Sequence, residues 1–118
     1  MSALTAWIDG YLVAWNTNAA DDIRRLFTAD AEYRTEPYAA PWVGHEAIVN
    51  GWLARPDDPG DTSFEWNRVT VDGDLHVITG TTRYAAEQLT FSNLWLVRLT
   101  PEGRCSSFTE YWMEHPRD

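Results

Sequence analysis

The second half of the chain restricts the fold most strongly, because strand-like segments follow one another with a turn signal between them. Polar and apolar residues alternate over 62–71, 75–85, 89–99 and 105–115. The sequence VDGD separates the first two segments and TPEGR separates the last two, and both are typical of tight turns. This pattern predicts four long antiparallel strands in a meander. In the first of these four strands the apolar side chains switch from one face to the other partway along, which predicts a bulge near Asn67 and Arg68.

The first half of the chain has helical periodicity instead. Apolar residues lie at helical spacing over 3–16, which predicts an amphipathic first helix. A second, short helix that buries Phe27 is predicted over NAADDIRRLFT, and a third helix over GHEAIVNGWLA. Between these helices we expect a strand over AEYRTEP and a loop or lid over YAAPWVG, and after the third helix a linker over RPDDPGD. The order ααβαββββ predicts one α+β domain over residues 1–118, with three helices on the concave face of a curved, cone-shaped antiparallel sheet.

Composition and charge exclude several classes of function. The net charge is −9 and all nine basic residues are arginine, which argues against nucleic acid and anionic membrane as partners. A single cysteine cannot form an internal disulfide and fits a reduced, cytoplasmic compartment. The three histidines lack ligand spacing, so we expect neither a metal nor another cofactor. The N-terminus has no basic region of a signal peptide, and no apolar run reaches membrane-spanning length.

The last predicted strand, SSFTEYWMEHP, places a carboxylate among large aromatic side chains. Alternation sends Phe108, Glu110 and Trp112 to one face, which we expect to be the face that the helices cover. A buried carboxylate needs a partner, and Arg83 on the neighbouring meander is the expected cation. The pair would be either the polar end of a pocket or a structural ion pair that stiffens the sheet.

Three stretches together resemble a known superfamily: GYLVAWNTNAADDIRRLFTADAEYRTEP, VGHEAIVNGW and GRCSSFTEYW. They are similar to the nuclear transport factor 2-like fold, in its SnoaL-like and ketosteroid-isomerase-like branch. The resemblance implies a cone that encloses a pocket, and often a homodimer. Because this fold hosts isomerases, cyclases, dehydratases, epoxide hydrolases and non-enzymatic binders, it does not by itself specify a reaction.

The resemblance also implies roles for particular residues. Tyr11 matches the helix tyrosine of the isomerase oxyanion hole, and Thr35 or, with one inserted residue, Glu36 matches the position of the base. The second acid of the isomerases falls near Trp95, with Asn93 on the same face, and neither residue is an acid. The epoxide hydrolases of this fold hold an arginine and two carboxylates, for which Arg83 and Glu110 are the candidates. Ala85 stands where those hydrolases carry one of the acids.

These observations predict a binding site for a small apolar or aromatic molecule. The candidate catalytic residues are Tyr11, Glu36 and Glu110. The candidate ligand-binding residues are Trp7, Trp15, Phe27, Trp52, Arg83, Asn93, Trp95, Phe108 and Trp112. One interpretation is an acid–base enzyme, either an isomerase, a cyclase or a hydrolase. The alternative is a non-catalytic binding or structural module, in which Tyr11 is a core aromatic and Glu36 a solvated loop carboxylate. We further expect a homodimer that buries the opposite sheet face.

Overall fold

The computed structural model describes residues 2–54, 56 and 60–116. This part of the chain contains helices α1 (Ala3–Thr17), α2 (Ala20–Arg24) and α3 (His45–Ala54). It contains strands β1 (Phe27–Arg34), β2 (Trp42–Val43), β3 (Thr62–Asp72), β4 (Leu75–Tyr84), β5 (Leu89–Leu99) and β6 (Cys105–Glu114). The predicted α+β fold is confirmed. The proposed linker includes residues 55 and 57–59, which lie outside the described residues. Within the described ranges, no helix has the length and apolar character needed to cross a membrane.

The six strands form one sheet in the order β2-β1-β6-β5-β4-β3. The four strands of the meander pair antiparallel, as their sequence predicts. The pairing of β1 with β6 is parallel, with Tyr33 opposite Phe108, so the sheet is mixed rather than wholly antiparallel. The register between β3 and β4 shifts between Arg68 and Thr70, and this confirms the predicted bulge to within one residue.

Helix α1 is fixed at its ends and along one side. The Ser2 hydroxyl accepts the backbone N–H of Thr5 at 3.1 Å, and Asn18 ends the helix in the left-handed conformation at φ 52°. Of the predicted apolar stripe, Leu4, Trp7, Ile8 and Tyr11 are buried, together with Ala14, while Leu12 and Trp15 are half-buried. The indole N–H of Trp7 donates to the carbonyl of Leu26 at 2.8 Å and thereby ties α1 to the start of the sheet.

The segment between α2 and α3 differs from the sequence-based expectation in two places. Phe27 was expected on the second helix, but α2 ends at Arg24 and Phe27 begins β1 opposite Cys105. Helical periodicity was overridden here by tertiary pairing, because the Cys105 N–H donates to the Leu26 carbonyl at 2.7 Å. The expected loop over 38–44 also contains the short strand β2, in which Trp42 pairs with Tyr33.

The sheet face turned away from the helices carries an apolar surface. Its centre is formed by Leu94, Leu96, Thr109, Tyr111 and Met113, which we call the outer patch; Leu94 lies opposite Tyr111 and Leu96 opposite Thr109. The side chains of Tyr111 and Met113 are 44% and 71% exposed in the single chain. Contiguous exposed apolar residues of this kind are typical of association surfaces.

We predict that the chain is a homodimer through the outer patch. Light scattering at micromolar concentration should give twice the 13.5 kDa mass of one chain. The double change Tyr111→Glu with Met113→Glu should give the monomer mass, because two charges at the centre of an interface would be desolvated without partners. Val13→Glu is the matched control, since Val13 is 53% exposed but lies on α1. A wild-type mass of one chain would contradict the prediction.

Candidate functional site

A cavity of about 670 Å³ lies between the helices and the inner face of the sheet. More than half of the described residues that line it are aromatic. The described residues of the lining are Tyr11, Trp15, Tyr33, Thr35, Glu36, Trp42, Gly51, Trp52, Ala54, Pro56, Thr82, Tyr84, Phe91, Asn93, Trp95, Glu110 and Trp112. Its volume and its mixture of aromatic walls with a few polar groups are typical of small-molecule sites.

Two thirds of the candidate site residues share this cavity. They are Tyr11, Trp15, Glu36, Trp52, Asn93, Trp95, Glu110 and Trp112. Strand pairing explains why several of them meet, because Trp95 lies opposite Glu110 and Asn93 lies opposite Trp112. The alternation of β6 therefore does bring its carboxylate to the cavity side of the sheet.

Three candidate wall residues lie in the core instead of the cavity wall. Trp7, Phe27 and Phe108 are 3%, 0% and 0% exposed, and none of them lines the cavity. The ring of Trp7 packs against Phe27 and Phe108 at centroid distances of 6.2 and 6.0 Å. Alternation gave the face of Phe108 correctly, but it cannot show that Tyr33 stacks on that ring at 4.6 Å and separates it from the cavity.

The expected pair between Arg83 and Glu110 is wrong. Thr82 of β4 faces the interior and is 2% exposed, so alternation turns the next residue, Arg83, to the outer face. Arg83 forms its salt bridge there with Glu65, at 3.5 Å from Nη1 to Oε1. Arg83 is therefore not a cavity residue, and the epoxide-hydrolase pattern loses its arginine at this position.

Glu110 is held by neutral hydrogen-bond donors from β5. Its Oε2 accepts from Asn93 Nδ2 at 2.8 Å and from the indole Nε1 of Trp95 at 3.0 Å. Thr82 Oγ1 donates to Asn93 Oδ1 at 2.7 Å, which fixes the amide so that its NH₂ group faces the carboxylate. Because the Asn93 amide and the Trp95 indole offer only N–H groups to Oε2, they position this oxygen of Glu110 as a hydrogen-bond acceptor.

A pair of buried tyrosines forms the second polar feature of the cavity. The hydroxyls of Tyr11 and Tyr33 are 2.8 Å apart, and either can donate to the other. Burial raises the pKa of both phenols well above the ordinary value, and the charge of Glu110 raises them further. Both hydroxyls therefore stay protonated at physiological pH. One of the two protons lies in the hydrogen bond between them, which leaves the other hydroxyl as the donor of the pair.

Glu36 lies in the segment that follows β1 and contributes a second carboxylate to the lining. Its Oε2 accepts a hydrogen bond from the hydroxyl of Thr35 at 2.7 Å. Both positions that matched the isomerase base therefore reach the cavity, and they contact each other there. Their geometry leaves Glu36 as an acid–base candidate alongside Glu110.

Several residues of the cavity lining were not predicted from the sequence. The most informative are Tyr33, Thr82 and Tyr84, all of which lie on the inner face. Alternation carries a signal for each of them, because Tyr33 has the parity of the buried Ala31, while Thr82 and Tyr84 have the parity of the buried Ile78. Strand direction and pairing were needed in addition, since alternation alone does not say which face the helices cover.

The other reactive side chains of the described residues do not form a second site. Within the described ranges, no group of three or more His, Cys, Asp and Glu converges as a metal site would require. Cys105 is fully buried, and burial raises the pKa of its thiol to about 12, so it is not poised as a nucleophile. His45 Nε2 is engaged with the Phe27 carbonyl at 2.9 Å, away from the cavity lining.

Comparisons with known proteins agree with this architecture. The family model described as a SnoaL-like domain matches residues 8–110. No curated protein matches the chain. The fold is similar to an NTF-2-like protein of unknown function from Burkholderia xenovorans (TM-score 0.73, 14% identity, 98% of this chain and 87% of that chain).

Two further solved structures carry names that refer to activities. One is a ketosteroid isomerase-like protein from Erwinia carotovora (TM-score 0.64, 17% identity, 95% of this chain and 94% of that chain). The other is the epoxide hydrolase/cyclase-like enzyme SalBIII, named for a role in pyran ring formation in the polyether salinomycin (TM-score 0.70, 16% identity, 92% of this chain and 89% of that chain). At these identities the similarity shows the fold alone.

We predict that Thr82 matters for stability and that its neighbour Arg83 matters little. Thr82→Val keeps the shape but leaves Asn93 Oδ1 without its donor in a buried position, which should lower the free energy of unfolding by about 1–3 kcal/mol. Arg83→Met removes an exposed ion pair and should cost less than about 1 kcal/mol. Urea denaturation of the two variants and the wild type measures both values. The opposite ranking would contradict the network described above.

Proposed function

The chain belongs to the SnoaL-like domain family of the nuclear transport factor 2-like superfamily, and on that basis we propose that it binds a small, mostly apolar molecule in the cavity and catalyses an acid–base reaction on it. The observation that carries this proposal is the presence of a carboxylate acceptor and a hydroxyl donor in one aromatic enclosure. Isomerisation, cyclisation and hydrolysis all need such a pair.

Within this proposal the polar groups have separate roles. Tyr11 supplies a hydrogen bond to a substrate oxygen that gains negative charge, and Tyr33 orients the Tyr11 hydroxyl from 2.8 Å away. Glu110 takes up the proton, with Glu36 as the second candidate for the base. An apolar ligand that fills the cavity displaces water from it, which strengthens both electrostatic interactions relative to bulk solvent.

A second function, binding without catalysis, is favoured by one observation. The polar groups of the cavity already satisfy one another: Glu110 Oε2 accepts two hydrogen bonds, and the hydroxyls of Tyr11 and Tyr33 bond to each other. A network of this kind stabilises a fold without any reaction. In that case the cavity would hold its ligand by apolar contact, with the network serving the scaffold.

Ligand titration distinguishes an occupied cavity from an unused one. We predict that part of a panel of neutral cyclic ketones, epoxides and lactones will shift the indole N–H signals of Trp15, Trp52 and Trp112 in NMR spectra. Trp7 is the matched control, because its indole N–H is buried on the Leu26 carbonyl outside the cavity. Shifts at Trp7 alone, or none at all across the panel, would contradict binding in the cavity.

Variants then separate catalysis from binding for any ligand that is turned over. Tyr11→Phe and Glu110→Gln should each lower kcat by about 10²–10⁴ while changing the dissociation constant much less, because they remove the proton-transfer groups and keep the shape. An unchanged kcat in both variants would contradict the roles assigned to Tyr11 and Glu110, and absence of turnover for every ligand that binds would favour the non-catalytic module.

We also predict that the protein does not turn over a β,γ-unsaturated ketosteroid at ordinary enzymatic rates. The isomerases of this superfamily use a protonated acid as the second oxyanion donor, whereas here Trp95 and Asn93 occupy that region and both donate to Glu110. Loss of one strong donor typically lowers the rate by about 10²–10³. A spectrophotometric assay of conjugated enone formation measures this, and turnover at the usual rate of an isomerase would refute the assignment of these positions.

A further inference from the structure

We infer that Trp42 is a positioning residue of the cavity, and that it depends on the absence of a side chain at Gly51. Through Tyr33, the Trp42 ring keeps the hydroxyl of Tyr11 in place. This inference rests on the proposed function, because the Tyr11 hydroxyl is the donor that the proposed reaction uses. It is carried by ring stacking across three strands and by the close approach of Trp42 to α3.

Three aromatic rings stack in a row across neighbouring strands of the inner face. Tyr33 of β1 lies opposite Trp42 of β2 and opposite Phe108 of β6. The Tyr33 ring is 5.1 Å from the ring of Trp42 and 4.6 Å from that of Phe108, with interplanar angles of 13° and 20°. Because β2 and β6 flank β1 on opposite sides, the two neighbours cover both faces of the Tyr33 ring. Phe108 is fully buried, so the position of Tyr33 depends on Trp42.

Helix α3 closes the outer end of this row at Gly51. Strand β2 has two residues and is the last strand of the sheet on this side, so Trp42 is held from outside by the helix. A Cβ atom at Gly51 would lie 2.3 Å from Cε2 of Trp42 and 2.5 Å from its Cδ2 and Cζ2. Carbon atoms in contact are normally about 3.5–4.0 Å apart. The indole therefore occupies the space that a side chain at position 51 would need.

The row of rings determines the geometry of the hydroxyl pair. The hydroxyl of Tyr33 lies 2.8 Å from that of Tyr11. A hydrogen bond between two hydroxyls is usually about 2.5–3.0 Å long, so a movement of the Tyr33 ring by about 1 Å would break it. Tyr11 is held separately, since its ring packs on Trp95 and Phe108. Displacement of Trp42 would therefore move Tyr33 and leave the Tyr11 hydroxyl without the partner that orients it.

The change Gly51→Ala tests the contact with α3 directly. The added Cβ atom has to displace the Trp42 indole by about 1 Å or more. The helix itself is favoured by the change, because alanine has a higher helix propensity than glycine. Asn50→Ala is the matched control, since Asn50 is exposed on the same helix and also gains helix propensity. An effect that only Gly51→Ala produces comes from Trp42.

The measurement is the NMR chemical shift of the Tyr11 ζ carbon, in ligand-free protein grown with tyrosine that carries ¹³C at this position. The shift depends on the hydrogen bond of the phenol oxygen. Among the described residues the ring of Trp42 contacts Tyr33 and not Tyr11, so the Tyr11 signal reports the hydroxyl pair rather than the ring current of the indole. Tyr33→Phe gives the shift of Tyr11 without its partner. We expect Gly51→Ala to move the signal by about half of that difference or more, and Asn50→Ala to leave it unchanged.

Two further variants make the test independent of folding and of movements in α3. Trp42→Leu removes the ring from the end of the row without changing α3, whose Trp52 packs on Tyr11 at 5.0 Å, and should move the Tyr11 signal in the same direction. Gly51→Ala combined with Trp42→Phe keeps a ring at position 42 and leaves room for the Cβ atom. This double variant should bring the signal back towards the wild-type value.

For any ligand that is turned over, the displacement should affect the reaction more than binding. Gly51→Ala should lower kcat by about 10–10²-fold, because the donor is misplaced, while the dissociation constant changes less.

The outcomes separate this inference from the proposed function. A Tyr11 signal that neither Gly51→Ala nor Trp42→Leu moves overturns the positioning role, even where ligands bind in the cavity. A change in Asn50→Ala as large as that in Gly51→Ala also overturns it, because the effect then comes from the helix. A double variant no closer to the wild type than Gly51→Ala overturns the dependence on Gly51. The neutral panel tests the proposed function separately, since the tyrosine measurement needs no ligand.

Discussion

The arrangement of side chains on the inner face of the sheet depends on one requirement: a carboxylate in an aromatic environment must receive hydrogen bonds. Glu110 lies on β6 among rings, and an ionised carboxylate there is costly without hydrogen bonds. Asn93 and Trp95 on the adjacent strand supply two N–H donors. Thr82 on the next strand donates to the Asn93 carbonyl oxygen and so keeps the NH₂ group of Asn93 directed at the carboxylate. Three strands must therefore keep their register for one side chain to be tolerated, which links the polar chemistry of the cavity directly to the order of the sheet.

Tyr11 connects this sheet network to the helices. Its ring packs between Trp95 and Phe108 of the sheet, at centroid distances of 4.9 and 5.7 Å, and contacts Trp52 of α3 at 5.0 Å. The ring thus acts as a core aromatic, while the hydroxyl meets Tyr33 at the cavity. The structural and functional interpretations of Tyr11 apply to different atoms of the same side chain, so the packing that stabilises the fold also fixes the direction of the donor.

The sequence could predict features that depend on local periodicity and could not predict those that depend on distant pairing. Alternation along β6 correctly assigned Glu110 to the cavity side, and the helical stripe correctly assigned Tyr11 to the buried side. The partner of Glu110 was wrong, because charge complementarity suggested Arg83 while the parity of β4 turns that residue outward. The parallel pairing of β1 with β6 could not be predicted either, since nothing in either segment specifies its direction relative to a strand some seventy residues away.

The position of the Trp95 indole depends in turn on a glycine of the neighbouring strand. Gly80 on β4 faces the rings of β3, and a Cβ atom there would lie 2.5 Å from the Phe64 ring. Its absence lets Phe64 lie flat over the strand and stack on Trp95 at 4.6 Å with an interplanar angle of 13°. That stacking fixes the plane of the Trp95 indole, and the plane aims its N–H at Glu110. The orientation of the candidate base therefore depends on a glycine outside the cavity lining, through the ring of Phe64, which only packs, and the indole of Trp95, which packs on Phe64 and donates to Glu110.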